Sequence, residues 1–261
     1  MVECITIDTT EMLTREIMSR AHGEWIFRGQ SDAKWPLDTS FYRFCAHITK
    51  LRYGTQPLTG SAKLTWYRTL RELEHRAFIQ YSQHIRPHPG ITASLDMLTS
   101  LADIQHYGCP TRLLDFTWLP YVGLFFALER GDSDFALFAV RASEPLPLNI
   151  SEEIDSQIFW GEKGAETPSV YLFTPPYGND RIQKQKGTFL IPSTTVMSFE
   201  AVAQSTGLNI QKFVIPARLR PECIAMLARM GIEPAAVYPE TEGRVRSLAW
   251  DIQAKVLTCP L

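Results

Sequence analysis

The sequence lacks an excess of either sign of charge. It has 26 lysine and arginine residues against 28 aspartate and glutamate residues, which gives a formal net charge of -2. A protein that binds polyanions in general carries a strong basic excess. Broad nucleic-acid affinity is therefore not strongly indicated, although a local basic patch remains open.

Long apolar runs are also missing. The longest, residues 119–128, is about half of the roughly 20 residues that span a bilayer. Residues 1–18 have no basic segment followed by an apolar one, so we do not expect a signal peptide. We therefore expect no membrane contact and a cytoplasmic location.

Cysteine is sparse and unpatterned. The five cysteines are an odd number, lie far apart and form no CxxC pair. A disulfide scaffold and a zinc site are both disfavoured, and a reducing compartment fits best. The chain also has no GxGxxG or GxxxxGK[ST] loop, which disfavours a Rossmann or P-loop nucleotide site. We expect no metal ion.

The composition that is present favours a folded globular chain, with 45% hydrophobic residues. Helical and strand patterns alternate irregularly, which predicts a single compact α+β domain of short strands and several helices. We expect residues 1–23 to be an N-terminal extension and residues 24–261 to be the domain. The patterns predict helices over 65–84, 94–106, 221–230 and from 243 onward, a loop over 35–44 and a short strand over 236–238.

The first chemically informative segment is FRGQ at positions 27–30. Arg28 lies inside an apolar strand, where a charge is costly unless it is paired or faces a cleft. An arginine there is suited to bidentate contact with phosphate or carboxylate, and Gly29 lets the backbone turn or a ligand approach. A structural arginine–carboxylate pair explains Arg28 equally well.

The second segment, residues 105–117, is denser in polar side chains. Arg112 and Asp115 are charges among leucine and phenylalanine, and Thr111 and Thr117 flank them, ahead of a helix that begins near Pro120. Free amides at a helix N-terminus attract anions. The alternative is that Asp115 or Thr117 only caps the helix and Arg112 pairs with Asp115.

Together these segments resemble the FRG domain, a family named for its Phe/Tyr-Arg-Gly motif. Its second signature stands here as HYGCPTRLLDFT at 106–117, followed by an apolar helix. Weaker similarities lie at residues 181–189 and 238–243, and the resemblance runs from Glu24 to Ile252. Members of the family occur mostly in bacteria and phages. A role as a toxin or phage-defence effector is compatible with the family.

The order of motifs is also similar to that of the ADP-ribosyltransferase fold, which implies NAD as a substrate for transfer or glycohydrolysis. Arg28 would then clamp the pyrophosphate, Tyr107 would stack on the nicotinamide and His106 would transfer a proton. The late strand that carries a glutamate in those enzymes offers Gln185 here. Glu240, Glu242 or Asp115 would have to supply the carboxylate.

A non-catalytic regulatory module is the alternative function. In that case Arg28, Gln30, Arg112 and Gln185 line a pocket for a small anionic ligand, such as a nucleotide or another phosphate. A metal hydrolase using His22, His106 and Asp115 is less favoured, because no metal-binding spacing is present. Under the first two hypotheses nine residues converge on one cleft: Arg28, Gln30, His106, Tyr107, Thr111, Arg112, Asp115, Thr117 and Gln185. The oligomeric state is left open.

Overall fold

The structure is a computed structural model that describes residues 2–20, 24–55, 58–84, 97–147, 166–175 and 180–258. The strands are β1 (Val2–Thr6), β2 (Trp25–Gln30), β3 (Leu114–Thr117), β4 (Phe135–Arg141), β5 (Leu146–Pro147), β6 (Val170–Phe173), β7 (Gly187–Pro192) and β8 (Ile210–Ile215). The helices are α1 (Thr10–Met18), α2 (Ser40–Tyr53), α3 (Gly60–His84), α4 (Met97–His106), α5 (Pro120–Leu128), α6 (Asp180–Gln185), α7 (Phe199–Thr206), α8 (Arg220–Arg229), α9 (Pro234–Val237) and α10 (Glu240–Thr258). This mixture of helices with one sheet confirms the α+β class.

The strands form one mixed sheet of eight, in the order β1-β8-β4-β2-β3-β7-β6-β5. Strand β2 pairs antiparallel with β4 along all six of its residues. Its pairing with β3 on the other side is limited to Phe27 opposite Thr117. Because the β2–β3 ladder stops after one pair, the sheet opens between these two strands.

Helices cover both faces of the sheet. On one face α1, α5, α8 and α10 enclose a core that contains Phe27, Phe125 and Phe213. On the other face α7 packs over Ile26 and Phe138. Helix α4 covers the β6–β7 end of the sheet in a separate cluster. The alternation of Ile26 and Phe27 between two cores shows the two-residue period of a strand buried on both faces.

The close packing of helix α5 against β2 explains why position 29 is a glycine. A Cβ atom at this position would lie 2.0 Å from the main-chain oxygen of Gly123 and 2.5 Å from the nitrogen of Ala127. No side chain fits such a gap, because the helix backbone itself is the obstacle. The glycine therefore serves helix–sheet packing and not a turn. Gly29 also lines a cavity, so a ligand approach at this position stays a prediction.

Two local predictions from the sequence were wrong. Residues 35–44 were expected to form a loop, but helix α2 begins at Ser40, where the Thr39 side chain caps it by accepting the Tyr42 N–H at 3.1 Å. The expected strand over 236–238 is instead α9 and the residue after it. Both segments are short and flanked by proline, so periodicity was a weak guide there.

Residues 2–20 belong to the same sheet and core. Strand β1 pairs parallel with β8 over five positions, and Leu13 and Ile17 of α1 are fully buried. In the described ranges, none of the helices has the length and apolar character to cross a membrane.

Candidate ligand-binding cleft

A cavity of about 320 Å³ lies where the sheet opens between β2 and β3. Its walls are β2, β3 and β7, the end of α4, helix α6 and Phe126 of α5. This volume is at the lower end of the range for small-molecule sites, about 300–1,000 Å³. Five of the predicted site residues line it: Arg28, His106, Asp115, Thr117 and Gln185.

Arg28 bridges the opening with its side chain. Its Nη1 donates to the main-chain oxygen of Asp115 at 2.8 Å and lies 3.4 Å from the Asp115 carboxylate oxygen Oδ2. The side chain is 18% exposed, and its buried Nε has no hydrogen-bond partner among the described residues. A buried donor without a partner costs about 1–3 kcal/mol, so an anion that satisfied this group would be favoured.

The electrostatic surroundings of Arg28 also favour an anion. Burial lowers the pKa of Arg28, the positive charge of Arg43 lowers it further, and Asp115 partly offsets both effects. Arg181 of α6 adds a second guanidinium to the cavity wall. Arg181 stacks on the Tyr238 ring at 4.8 Å and lies 3.8 Å from Glu242, which fixes its position.

Asp115 is held by a short chain of hydrogen bonds. Thr111 Oγ1 donates to Gln105 Oε1, and Gln105 Nε2 donates to Asp115 Oδ1 at 2.7 Å. Thr111 is buried outside the cavity, and its side chain thereby sets which end of the Gln105 amide faces Asp115. The Asp115 side chain is 61% exposed, so its carboxylate is held in place while open to solvent.

Thr117 and Gln185 join β3 to helix α6 at the cavity wall. Thr117 Oγ1 donates to the main-chain oxygen of Gln185 at 2.6 Å and accepts the Leu119 N–H at 3.0 Å. Gln185 Nε2 donates to the main-chain oxygen of Val237 at 3.3 Å. Both side chains have structural partners, and any contact that they make with a ligand remains a prediction.

The two aromatic groups of the HYG motif are placed differently. His106 lines the cavity, whereas Tyr107 does not line it and is 75% exposed. The rings pack edge to face at 5.1 Å between centroids. The half-buried Phe126 is the aromatic ring of the cavity wall that is open to a ligand. Phe126 therefore replaces Tyr107 as the candidate for stacking on a ligand, and the sequence did not single out Phe126.

Arg112 corrects the main expectation about this segment. Its side chain is fully buried, and its partner is Glu74 of α3 rather than Asp115. The Arg112 main-chain N–H donates to Glu74 Oε1 at 3.0 Å and its Nε donates to Oε2 at 2.9 Å. Its Nη1 donates to the main-chain oxygen of Ser193 at 3.3 Å. The guanidinium does not line the cavity, so it is assigned a structural role and not anion binding.

The remaining predicted residues are Gln30, Glu240 and His22. Gln30 is buried, with its Nε2 donating to the main-chain oxygen of Pro36 at 3.3 Å, and is not part of the lining. The side chain of Glu240 and all of His22 lie outside the described residues. Across the ranges given above, no three His, Cys, Asp or Glu side chains are grouped to hold a metal ion.

Sequence reasoning missed Gln105, Phe126 and Glu74. Gln105 directly precedes the HYG motif, and its position at the last turn of α4 was a usable signal. Glu74 follows Leu70 by four residues and precedes Ala77 by three, so it lies on the buried face of α3. Leu73, one position before Glu74, is 41% exposed and lies off that face.

Comparison with known proteins agrees with the motifs. The family model for the FRG domain matches residues 23–135, which contain FRGQ, the HYGCPTRLLDFT signature and helix α5. No curated protein and no solved structure matches the chain. The resemblance to the ADP-ribosyltransferase fold therefore has no support from a structural match. The two FRG signatures meet at the opening of the sheet, and residues 23–135 of the chain carry an FRG domain.

Proposed function

We propose that the cleft binds a small anionic ligand of the nucleotide class, with Arg28 as its principal anion contact. The observation that carries the proposal is the placement of Arg28: a guanidinium in a cavity wall, with a buried Nε that has no partner in the part of the chain that the structure describes. Arginine binds phosphate oxygens through several donors at once. Arg181 supplies a second cation on the facing helix.

The rest of the lining suits the neutral part of a nucleotide. Phe126 and Ile182 offer apolar surface to a ring, and the exposed carboxylate of Asp115 in the same cavity can accept from sugar hydroxyls. A cavity of about 320 Å³ accommodates one nucleoside moiety better than a whole dinucleotide. With a dinucleotide, the other half would extend beyond the opening.

NAD is the specific substrate that we propose, because Asp115 adds a carboxylate to the site. When the bond between nicotinamide and ribose C1′ breaks, the electron pair leaves with nicotinamide and positive charge develops on the ribose. Asp115, positioned by Gln105, would stabilise that charge. Water or an acceptor nucleophile would then bond to C1′ and lose its proton, and His106 is the candidate base.

Titration calorimetry tests the binding step. ADP-ribose, NAD and inorganic pyrophosphate would each be titrated into the full chain and into Arg28→Ala. We expect saturable binding to the unmodified chain and roughly 10- to 100-fold weaker binding to Arg28→Ala, because charged hydrogen bonds are lost. Arg229→Ala is the matched control, since Arg229 is exposed and lies outside the cavity lining. Equal affinities in all three proteins would contradict the proposal.

Nicotinamide release separates an enzyme from a regulatory module. The chain would be incubated with NAD, with and without a cell lysate as a source of acceptors, and nicotinamide would be quantified. Release that Asp115→Asn abolishes would support catalysis. Binding without release would support the non-catalytic module. In bacteria, a growth defect with NAD depletion on expression of the unmodified chain, but not of Arg28→Ala, would support a toxin or phage-defence role.

A further inference from the structure

The last helix, α10, has one face packed on the domain and one face that is apolar and exposed. Its inner row is Gly243, Ser247 and Trp250. A Cβ atom at Gly243 would lie 2.9 Å from the main-chain oxygen of Tyr238, Ser247 Oγ accepts the Ala235 N–H at 3.0 Å, and Trp250 is buried. These contacts fix which way the helix faces. The opposite side therefore points away from the domain.

That outer side carries an apolar row, which we call the outer stripe: Val245, Leu248, Ile252 and Val256. Each of these side chains is 62–69% exposed. Their spacings of three, four and four residues place them on one line along the helix. Four large aliphatic side chains at this exposure on one line are a contiguous apolar surface, which is typical of an interaction site.

Two charges flank the outer stripe on the same side. Arg244 and Asp251 are seven residues apart, so they occupy equivalent positions two turns apart along the helix. Both are exposed, and neither takes part in an ion pair within the described chain. A single helix cannot bring them together, because (i, i+7) side chains are separated by about 10 Å.

We propose that the outer stripe is the contact between two copies of this chain, with their α10 helices antiparallel. In that arrangement the flank of one helix that carries Arg244 and Asp251 faces the same flank of the other helix. A two-fold axis near residues 247 and 248 then places Arg244 of one copy beside Asp251 of the second, and Asp251 beside Arg244. A parallel pair would instead place Arg244 against Ala249 and Asp251 against Val256, with no ion pair. The charges therefore favour the antiparallel copy as the occupant.

Sedimentation velocity of the full chain over a range of concentrations tests this contact. We expect a reversible dimer for the unmodified chain and a monomer for Leu248→Glu, with unchanged circular dichroism because the side chain is exposed. Leu51→Glu is the matched control, since Leu51 is 73% exposed on α2, and it should dimerise normally. A monomer at every concentration, or a dimer that survives Leu248→Glu, would overturn the proposal.

Charge reversal tests the antiparallel geometry. Arg244→Asp and Asp251→Arg should each weaken dimerisation by roughly tenfold, because symmetry makes both ion pairs repulsive at once and each exposed pair contributes a few-fold. The double variant Arg244→Asp, Asp251→Arg should restore the dimer. Failure of the double variant to restore it would overturn the antiparallel arrangement.

Discussion

Arg28 and Arg112 are two arginines in the two motifs of one domain, and their surroundings are opposite. Arg112 is sealed in the interior and bonded at its main-chain N–H and Nε by one carboxylate, that of Glu74. Arg28 lies at an opening in the sheet and bonds through Nη1 to Asp115, and its Nε has no partner within the ranges that the structure describes. A charged residue in a motif therefore has a structural role when protein groups bond to all of its donors or acceptors.

We expect the largest loss of stability when the buried Arg112 is removed. Arg112→Ala leaves the Glu74 carboxylate buried without its cation, which should lower the free energy of unfolding by about 3–5 kcal/mol. Urea denaturation of the variant and of the exposed control Arg229→Ala measures this effect. A variant with unchanged stability would show that the buried pair is not structural.

A second large effect should come from Gly29, the neighbour of Arg28 in β2. Gly29→Ala forces a Cβ atom onto the α5 backbone, so we expect a loss of roughly 3 kcal/mol in the free energy of unfolding. Gly187→Ala is the control, because the nearest atom to its Cβ would be a side-chain methyl of Ile182 at 3.3 Å, and the main-chain O and Cα of Ile182 would lie at ordinary contact distances of 3.5 and 3.6 Å. Equal stability of the two variants would refute a packing role for Gly29.

Asp38 is a buried acid that differs from Glu74. Among the described residues, no cation is bonded to the Asp38 carboxylate. Burial, with a smaller effect of Glu200, raises the pKa of Asp38 to about 6, although the Phe199 N–H donates to its Oδ1 at 2.7 Å. An acid with a raised pKa in the folded state contributes stability at low pH and loses it as the pH rises. The window runs from the ordinary value of 3.8 to about 6.

The corresponding variant is Asp38→Asn. Relative to Asp38→Asn, the unmodified chain should lose about 2–3 kcal/mol of unfolding free energy as the pH rises from 3.8 to about 6. Urea denaturation of the two proteins at a series of pH values measures the difference. A difference that stayed constant with pH would contradict the raised pKa.

The smallest effect on stability should come from Arg28 itself. Arg28→Ala removes a hydrogen bond to the Asp115 main chain and an ion pair with a largely exposed carboxylate, so we expect a loss of about 1 kcal/mol. Thermal and urea unfolding beside Arg112→Ala provide the comparison. If both arginine variants lost the same stability, the distinction between the two arginines would fail.

The sequence predicted the fold class and most elements, because long periodic segments carry their own signal. The helix ending at His84, the strand that contains Arg28 and the helix from Pro120 were all expected. Helix α2 was missed because Pro36 and the turn residues before it dominated the pattern. The single β2–β3 pair could not be predicted from the sequence, because strand register depends on contacts between residues that are distant in sequence.

The site was predicted only in part, for a related reason. The motifs indicated that Arg28, His106, Asp115, Thr117 and Gln185 belong near one another, and all five line the cavity. They did not reveal the partner of Arg112, because Glu74 lies 38 residues before it, on helix α3. A charged residue in a motif shows that a partner is required, and only the fold shows whether that partner is protein or ligand.

The most direct test of the central claim is a crystal structure of the chain soaked with ADP-ribose. We predict a phosphate group within hydrogen-bond distance of the Arg28 guanidinium, between β2 and α6, with Arg112 still bonded to Glu74. Nucleotide density elsewhere on the surface, with the β2–β3 opening unchanged, would contradict it.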